Sequence, residues 1–147
     1  MDLEKCIACI LVEHGLPDDK GFLYKVAMAE SAGGKHLVQL GGGPGRGYFQ
    51  FERPTVEDIL NHLRDTKAAD FIRKKIKNRD LLPLVGENLI TYDLEFQVVL
   101  ARVHLMRFRE TIPSDMLGQA KYWKKYWNTY LGAGTLEHFM EANGATL

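Results

Sequence analysis

Glu30 is the residue whose type and position best suit proton transfer. Apolar residues recur at three- and four-residue steps from Phe22 to Ala27, so the spacing predicts a helix with Glu30 at its C-terminal end, beside the apolar stripe. Burial beside apolar groups and the partial negative charge of a helix C-terminus both raise a carboxyl pKa. A carboxylic acid that keeps its proton near neutral pH can act as a general acid, which makes Glu30 a candidate catalytic residue.

A glycine-rich segment follows this helix and leads to Gln50. Gly33 and Gly34 come first, and residues 41–47 are then mostly glycine. A glycine-rich loop can cradle a phosphate, but here the Gly-Lys-Ser/Thr ending of such loops is absent. We interpret the segment as a tight turn that brings the backbone close to a ligand or to the helix of Glu30.

Glu30-Ser31, the glycine-rich stretch and residues 45–50 together resemble the motif pair of lytic transglycosylases and goose-type lysozymes. In that superfamily a catalytic Glu-Ser precedes a Gly-x-x-Gly-Leu-Met-Gln-like segment, and the separation here, 50 minus 30 or 20 residues, fits. Residues 41–50, 52–55, 101–103 and 122–135 more closely resemble small bacteriophage proteins related to the superfamily. This resemblance covers most of the chain.

The resemblance implies specific roles for the motif residues. Glu30 would be general acid and base, and Ser31 would position nearby polar groups. Gly47 and Gln50 would shape a glycan cleft, and Tyr48 would line a subsite.

A further motif of the superfamily places a tyrosine near the catalytic glutamate. Its nearest match is Tyr126 to Asn128, and Tyr122 is a rival for the same role. The substrate implied is the peptidoglycan glycan strand, cut between N-acetylmuramic acid and N-acetylglucosamine.

Two reaction types are open. A lytic transglycosylase needs one carboxyl group, because the C6 hydroxyl of the sugar attacks after the leaving oxygen is protonated. An inverting hydrolase needs a second carboxylate about 6.5 to 9.5 Å away to activate water. Glu52, Asp93 and Asp115 are candidates, but none stands out in the sequence, which favours the transglycosylase. Alternatively, the domain is a non-catalytic component of a phage particle or a module that binds cell wall.

Composition limits the partners. The 19 basic and 19 acidic residues cancel, so no overall field attracts nucleic acid, and the basic run at residues 73–79 is interpreted as a solvated helix face. Cys6 and Cys9 are predicted to be small apolar side chains on a packed face, consistent with a reducing cytoplasm. Four histidines, His36, His62, His104 and His138, show no ligand spacing, so no metal or cofactor is expected.

The sequence also predicts where the protein is located. Neither a secretory signal nor a membrane-spanning segment is visible. Together with the phage resemblance, this predicts a protein carried in the virion, beside other virion proteins, or made in the infected cytoplasm, and acting on the cell wall.

The hydrophobic pattern predicts one mostly α, lysozyme-like domain over residues 1–147, of the α+β type. A small β or looped insertion spans residues 31–54, with short strands at 35–40 and 48–51, and the cleft lies between Glu30 and residues 122–128. The predicted helices cover residues 3–14, 22–30, 55–63, a short segment around 71–76, a central segment 94–108, residues 116–130, and a last segment that starts at Thr135. The predicted N-terminal caps are Asp18 or Asp19 for the helix over 22–30, Thr55 for the helix over 55–63, and Ser114 or Asp115 for the helix over 116–130.

Overall fold

The computed structural model describes residues 1–77 and 83–146. Asn78 and Arg79, the end of the basic run, lie outside the described residues. Eight α-helices are present in the described part: α1 (Leu3–Glu13), α2 (Phe22–Ser31), α3 (Arg53–Asn61), α4 (Lys67–Lys77), α5 (Pro83–Tyr92), α6 (Leu94–Leu105), α7 (Met116–Tyr122) and α8 (Leu136–Ala142). The predicted mostly α class is therefore confirmed.

Helix α6 forms the centre of the fold. Most of its residues are buried, including Phe96, Leu100 and Leu105, and helices α1 to α5 all contact it. The broadly apolar sequence predicted this central position. Helix α5 was not predicted, and Gly86 within it lowers the intrinsic helix propensity of the segment.

The N-terminal caps predicted for the last two α-helices agree with the structure. Asp115 and Thr135 each accept a hydrogen bond from a backbone N–H in the first turn of α7 and α8, and Asp93, which was not predicted as a cap, does the same for α6. The cap predicted at Thr55 is wrong, because α3 already begins at Arg53. Pro54 explains the earlier start, since proline is preorganised for the first turn of a helix.

The β part of the predicted insertion is not observed in the described residues. Arg46 forms isolated antiparallel bridges with Val38 and with Phe51, and a short 3-10 turn spans Leu40–Gly42. Gly41 and Gly47 have positive φ, so the chain turns back before a ladder can extend. The insertion is thus a compact loop whose two bridges share one residue.

The predicted helix over residues 116–130 changes its geometry midway. Helix α7 ends at Tyr122 and continues as a π-helix over Trp123–Asn128, which terminates at Thr129 with φ 63°. The wider turn shifts the phase of the side chains. Tyr130, the last residue of the predicted helix, is 89% exposed, whereas Trp123 is buried.

Two further expectations concern the surface. The packed face predicted for the cysteines is wrong at Cys9, which is exposed, and Cys6 is only partly buried. Among the described helices none combines the length and the apolar character that crossing a bilayer requires.

Candidate active site

Glu30 lies in the last turn of α2, and its carboxyl group faces a cleft. Its Oε1 accepts a hydrogen bond of 3.2 Å from the indole Nε1 of Trp123. Burial raises the pKa of Glu30 from 4.5 to about 7, against the lowering effect of the Trp123 hydrogen bond, and repulsion from Glu52 raises it further. About half of the Glu30 side chains are therefore protonated at neutral pH.

The cleft beside Glu30 has a volume of about 480 Å³. The glycine-rich loop and the start of α3 form one side, where the lining residues are Gln39, Gly45, Gln50, Phe51, Glu52 and Thr55. The π-helix and the following loop form the other, with Trp123, Trp127, Asn128 and residues 132–134. The predicted position of the cleft, between Glu30 and residues 122–128, agrees with this arrangement.

Ser31 connects the Glu30 helix to the glycine-rich loop. Its Oγ lies 2.7 Å from the carbonyl oxygen of Tyr48 and 3.1 Å from that of Ala27, and it accepts a hydrogen bond of 2.9 Å from the Gly34 N–H. Ser31 is buried and does not line the cleft. It orders backbone groups next to Glu30.

Gly47 and Gln50 fix the shape of the loop. Gly47 has φ 83°, and a Cβ there would overlap the carbonyl oxygen of Ile90 and the side chain of Gln97. The Gln50 Nε2 donates to the carbonyl oxygens of Gly47 (2.9 Å) and His36 (3.1 Å). Gln50 therefore lines the cleft, whereas Gly47 lies on the other side of the loop, against Ile90 of α5 and Gln97 of α6.

Gln97 is a supporting residue that the sequence analysis missed. This buried glutamine on α6 accepts a hydrogen bond of 2.7 Å from the Tyr48 N–H and lies 3.4 Å from the Leu89 carbonyl oxygen through its Nε2. The available signal was a polar residue inside an otherwise apolar helix, which requires hydrogen-bond partners when buried.

The three tyrosines of the predicted site do not line the cleft. The Tyr48 ring packs over Gly34. Tyr122 is buried and its hydroxyl donates to the Glu110 carbonyl oxygen at 3.3 Å. Tyr126 stacks on Phe108 with ring centroids 4.5 Å apart.

The contact predicted for a tyrosine is thus made by a tryptophan. Trp123 lies between Tyr122 and Tyr126 in sequence, and the π-helix directs both Trp123 and Trp127 towards the cleft. The placement of Tyr122 and Tyr126 at the cleft was wrong because Trp123 and Trp127 occupy the cleft side of this segment.

Asn128 does line the cleft. Its Oδ1 accepts a hydrogen bond of 2.7 Å from Lys124 Nζ, which also donates to the Gly132 carbonyl oxygen at 3.0 Å. A Cβ on Gly134 would overlap the Trp123 ring. Asn128 and Lys124 therefore hold the 129–134 loop against the cleft.

Of the three candidate second carboxylates, the structure brings Glu52 to the cleft. Asp93 caps α6 and forms an ion pair of 3.0 Å with Lys75. Asp115 caps α7 by accepting from the Gly118 N–H at 2.8 Å. Asp93 and Asp115 have structural roles away from Glu30.

Two histidines also line the cleft without having been predicted to do so. His138 Nε2 lies 2.8 Å from the Ala29 carbonyl oxygen. The His104 ring contacts Trp127 and Phe108, and its buried Nδ1 has no hydrogen-bond partner in the described part of the chain. Burial, followed by repulsion from Arg107, lowers the pKa of His104 to about 4, so its imidazole is neutral near pH 7.

No group of His, Cys, Asp or Glu residues within residues 1–77 and 83–146 is arranged to hold a metal ion. No protein-family model matches the chain, and comparisons with curated proteins and with solved structures give no match either.

Replacing Trp123 by phenylalanine is expected to raise the pKa of Glu30 above about 7, because the indole N–H stabilises the carboxylate. In a pH titration followed by NMR, the carboxyl resonance of Glu30 should therefore change at higher pH than in the wild type. Trp127→Phe is the matched control, since Trp127 lines the cleft without bonding Glu30. Equal titration midpoints of Glu30 in the two variants would contradict the role of the hydrogen bond.

Proposed function

We propose that this protein cleaves the peptidoglycan glycan strand between N-acetylmuramic acid and N-acetylglucosamine, with Glu30 as the general acid. One observation carries the proposal: a carboxyl group with a pKa of about 7 faces a cleft of about 480 Å³ lined by Trp123, Trp127 and Asn128. Aromatic faces together with amide groups suit a sugar ring, which has apolar faces and hydroxyl edges.

A one-carboxyl mechanism has two halves, and Glu30 is the group that we assign to both. Protonated Glu30 donates to the glycosidic oxygen as the bond to C1 breaks, and the resulting carboxylate then accepts the proton of the C6 hydroxyl as that oxygen attacks C1. A pKa near the working pH serves both steps, because the group must be a competent acid first and a competent base second. The product is an anhydro sugar, as in lytic transglycosylases.

Glu52 supports a second reaction type at the same site. It lines the cleft, and its charge raises the pKa of Glu30. An acid and a carboxylate in one cleft are the groups that an inverting hydrolase uses, with the carboxylate activating water. The two mechanisms differ in their products and in their dependence on Glu52.

Replacing Glu52 by glutamine separates these mechanisms. We expect cleavage to continue with anhydro products, and the alkaline limb of the rate profile to move to lower pH, because one source of repulsion on Glu30 is removed. Loss of cleavage by at least about a hundredfold, together with reducing ends in the wild-type products, would assign Glu52 as the base of a hydrolase. Glu57→Gln is the control, because Glu57 lies on helix α3, which Glu52 directly precedes, and does not line the cleft.

The proposed function is tested by digesting purified peptidoglycan with the wild-type protein and with Glu30→Gln, followed by mass spectrometry of the soluble muropeptides. We expect anhydro ends from the wild type and none from the variant. Failure of the folded wild-type protein to release any fragment would overturn the enzymatic proposal. Sedimentation with insoluble cell wall would then distinguish a wall-binding module from a structural component of a phage particle.

We place the site of action at the bacterial cell wall, with delivery from a virion or from the cytoplasm of an infected cell. This part of the proposal is supported by the motif resemblance alone. It is checked by looking for the protein in purified particles by mass spectrometry.

A further inference from the structure

A second cavity lies on a different part of the surface from the Glu30 cleft. It has a volume of about 290 Å³ and shares no lining residue with the cleft. Its walls come from the turn after α1, the turn between α3 and α4, the start of α4 and the end of α6. We refer to it as the α4–α6 cavity.

The walls of the α4–α6 cavity are largely apolar. Leu16, Ala68, Val103 and Met106 contribute hydrocarbon surface, and Met106 is 50% exposed. His14 also lines the cavity, and its ring packs 4.3 Å from the ring of Phe71. A hydrocarbon group that entered the cavity would cover this surface and be stabilised by its removal from water.

The basic side chains that line the α4–α6 cavity are those of Arg64, Lys67 and Arg107, together with the imidazoles of His14 and His62, and its lining includes no carboxylate. Within the described part of the chain neither Arg64 nor Lys67 forms an ion pair. The cavity therefore combines an apolar interior with two cationic side chains that are available to an anion.

The carboxylates next to the cavity are already paired with other groups. Asp58 binds Arg107 at 2.9 Å and lies 3.3 Å from His62. Glu95 lies 3.2 Å from His14, and Asp65 lies 3.8 Å from Arg73. The positive charge of Arg64 and Lys67 is thus left without compensation at the cavity.

From this combination we propose that the α4–α6 cavity binds a small amphipathic anion: a hydrocarbon chain that ends in a carboxylate or a phosphate. The chain lies against Leu16, Val103 and Met106, and the anionic head is held by Arg64 and Lys67. The inference does not depend on the proposed function, because the two sites share no residue. A free acid and an anionic lipid present the same chemistry to this cavity.

Dodecanoate, used below its critical micelle concentration, is the first probe, with isothermal titration calorimetry and the shift in Tm as readouts. We expect saturable binding with one molecule per chain and a rise in Tm that grows with ligand concentration. Dodecyl phosphate should behave alike, whereas uncharged dodecyl maltoside and cationic dodecyltrimethylammonium should not raise Tm. Equal stabilisation by the uncharged probe would overturn the proposal.

Charge reversal tests the assignment of the residues. Arg64→Glu with Lys67→Glu should weaken dodecanoate binding by about tenfold or more, whereas Lys5→Glu with Lys121→Glu, which changes net charge equally at other exposed positions, should leave it within about twofold. Met106→Asp, which places a carboxylate at the half-exposed wall without altering the cations, should also weaken binding. Equal losses in both double variants would show a non-specific charge effect and contradict the site.

Vesicles distinguish the two sources of the anion. Binding of monomeric dodecanoate without cosedimentation on phosphatidylglycerol vesicles identifies a free acid as the occupant. Cosedimentation that depends on Arg64 and Lys67, and that is absent with phosphatidylcholine vesicles, identifies a lipid. Absence of binding to dodecanoate, dodecyl phosphate and both kinds of vesicle would overturn the inference, even if peptidoglycan cleavage were found.

Discussion

Replacing Glu30 by glutamine is expected to abolish glycan cleavage and to stabilise the folded protein above neutral pH. Glutamine can still accept the hydrogen bond from Trp123 but has no proton to donate to a glycosidic oxygen. Loss of general acid catalysis lowers rates by about 10²- to 10⁴-fold. Release of soluble muropeptides, followed over time by mass spectrometry, measures this loss.

The stabilising effect follows from the raised pKa of Glu30. Below pH 4.5 the group is protonated in both the folded and the unfolded chain, so it makes no pH-dependent contribution. Between pH 4.5 and about 7 the unfolded chain releases the proton first, and the free energy of unfolding falls as pH rises. Above about pH 7 the full cost of the buried charge remains, about 3 kcal/mol.

Urea unfolding at pH 4 and at pH 8 measures this effect. Glu30→Gln should match the wild type at pH 4 and exceed it by about 3 kcal/mol at pH 8. Glu13→Gln, at an exposed position, should differ from the wild type by less than about 0.5 kcal/mol at both values. A Glu30→Gln variant with the wild-type pH dependence would show that the folded protein does not hold this carboxyl in a raised-pKa environment.

Replacing Gly47 by alanine is expected to cause the largest loss of stability, about 3 kcal/mol or more. The new methyl group would overlap the Ile90 carbonyl oxygen and the Gln97 side chain, and the backbone at φ 83° is unfavourable for alanine. The fraction of Gly47→Ala that still folds should also cleave glycan poorly, because Gln97 and the Gly47 carbonyl oxygen hold Tyr48 and Gln50 in place.

The matched control is Gly41→Ala. Gly41 belongs to the same loop and has φ 78°, but a Cβ there meets nothing within 4 Å. It should lose about 1 kcal/mol, the cost of the backbone conformation alone. Urea unfolding of both variants separates this cost from the close approach, and similar losses at the two positions would contradict the packing argument.

The sequence predicted the parts of this fold that depend on local physics. Apolar spacing placed α1, α2, α4 and α6, and side chains that satisfy helix N-termini correctly marked the starts of α7 and α8. The absence of the strands predicted at 35–40 and 48–51, and the presence of the π-helix, could not be predicted from local spacing. Both depend on where loops meet the central helix, which local propensity does not describe.

The candidate site could likewise be predicted only in part. Glu30, Gln50 and Asn128 were selected from motifs, Glu52 was selected as a candidate second carboxylate, and all four line one cleft. Trp123 was not assigned to Glu30 because the two residues are separated by 93 positions in the chain. The tyrosines were misplaced because a motif resemblance names residues without giving the direction of their side chains.

The π-helix gives this wall of the cleft tolerance to a change of a single residue in length. A π-turn closes its hydrogen bonds at i+5 where an α-helix uses i+4, so it is equivalent to an α-helix with one residue inserted. Deleting Lys125 would allow an unbroken α-helix in which Trp127 stands three positions after Trp123, and residues three apart in an α-helix lie on the same face. Loss of the extra residue would therefore remove the wide turn and still keep both indoles on one side of the helix.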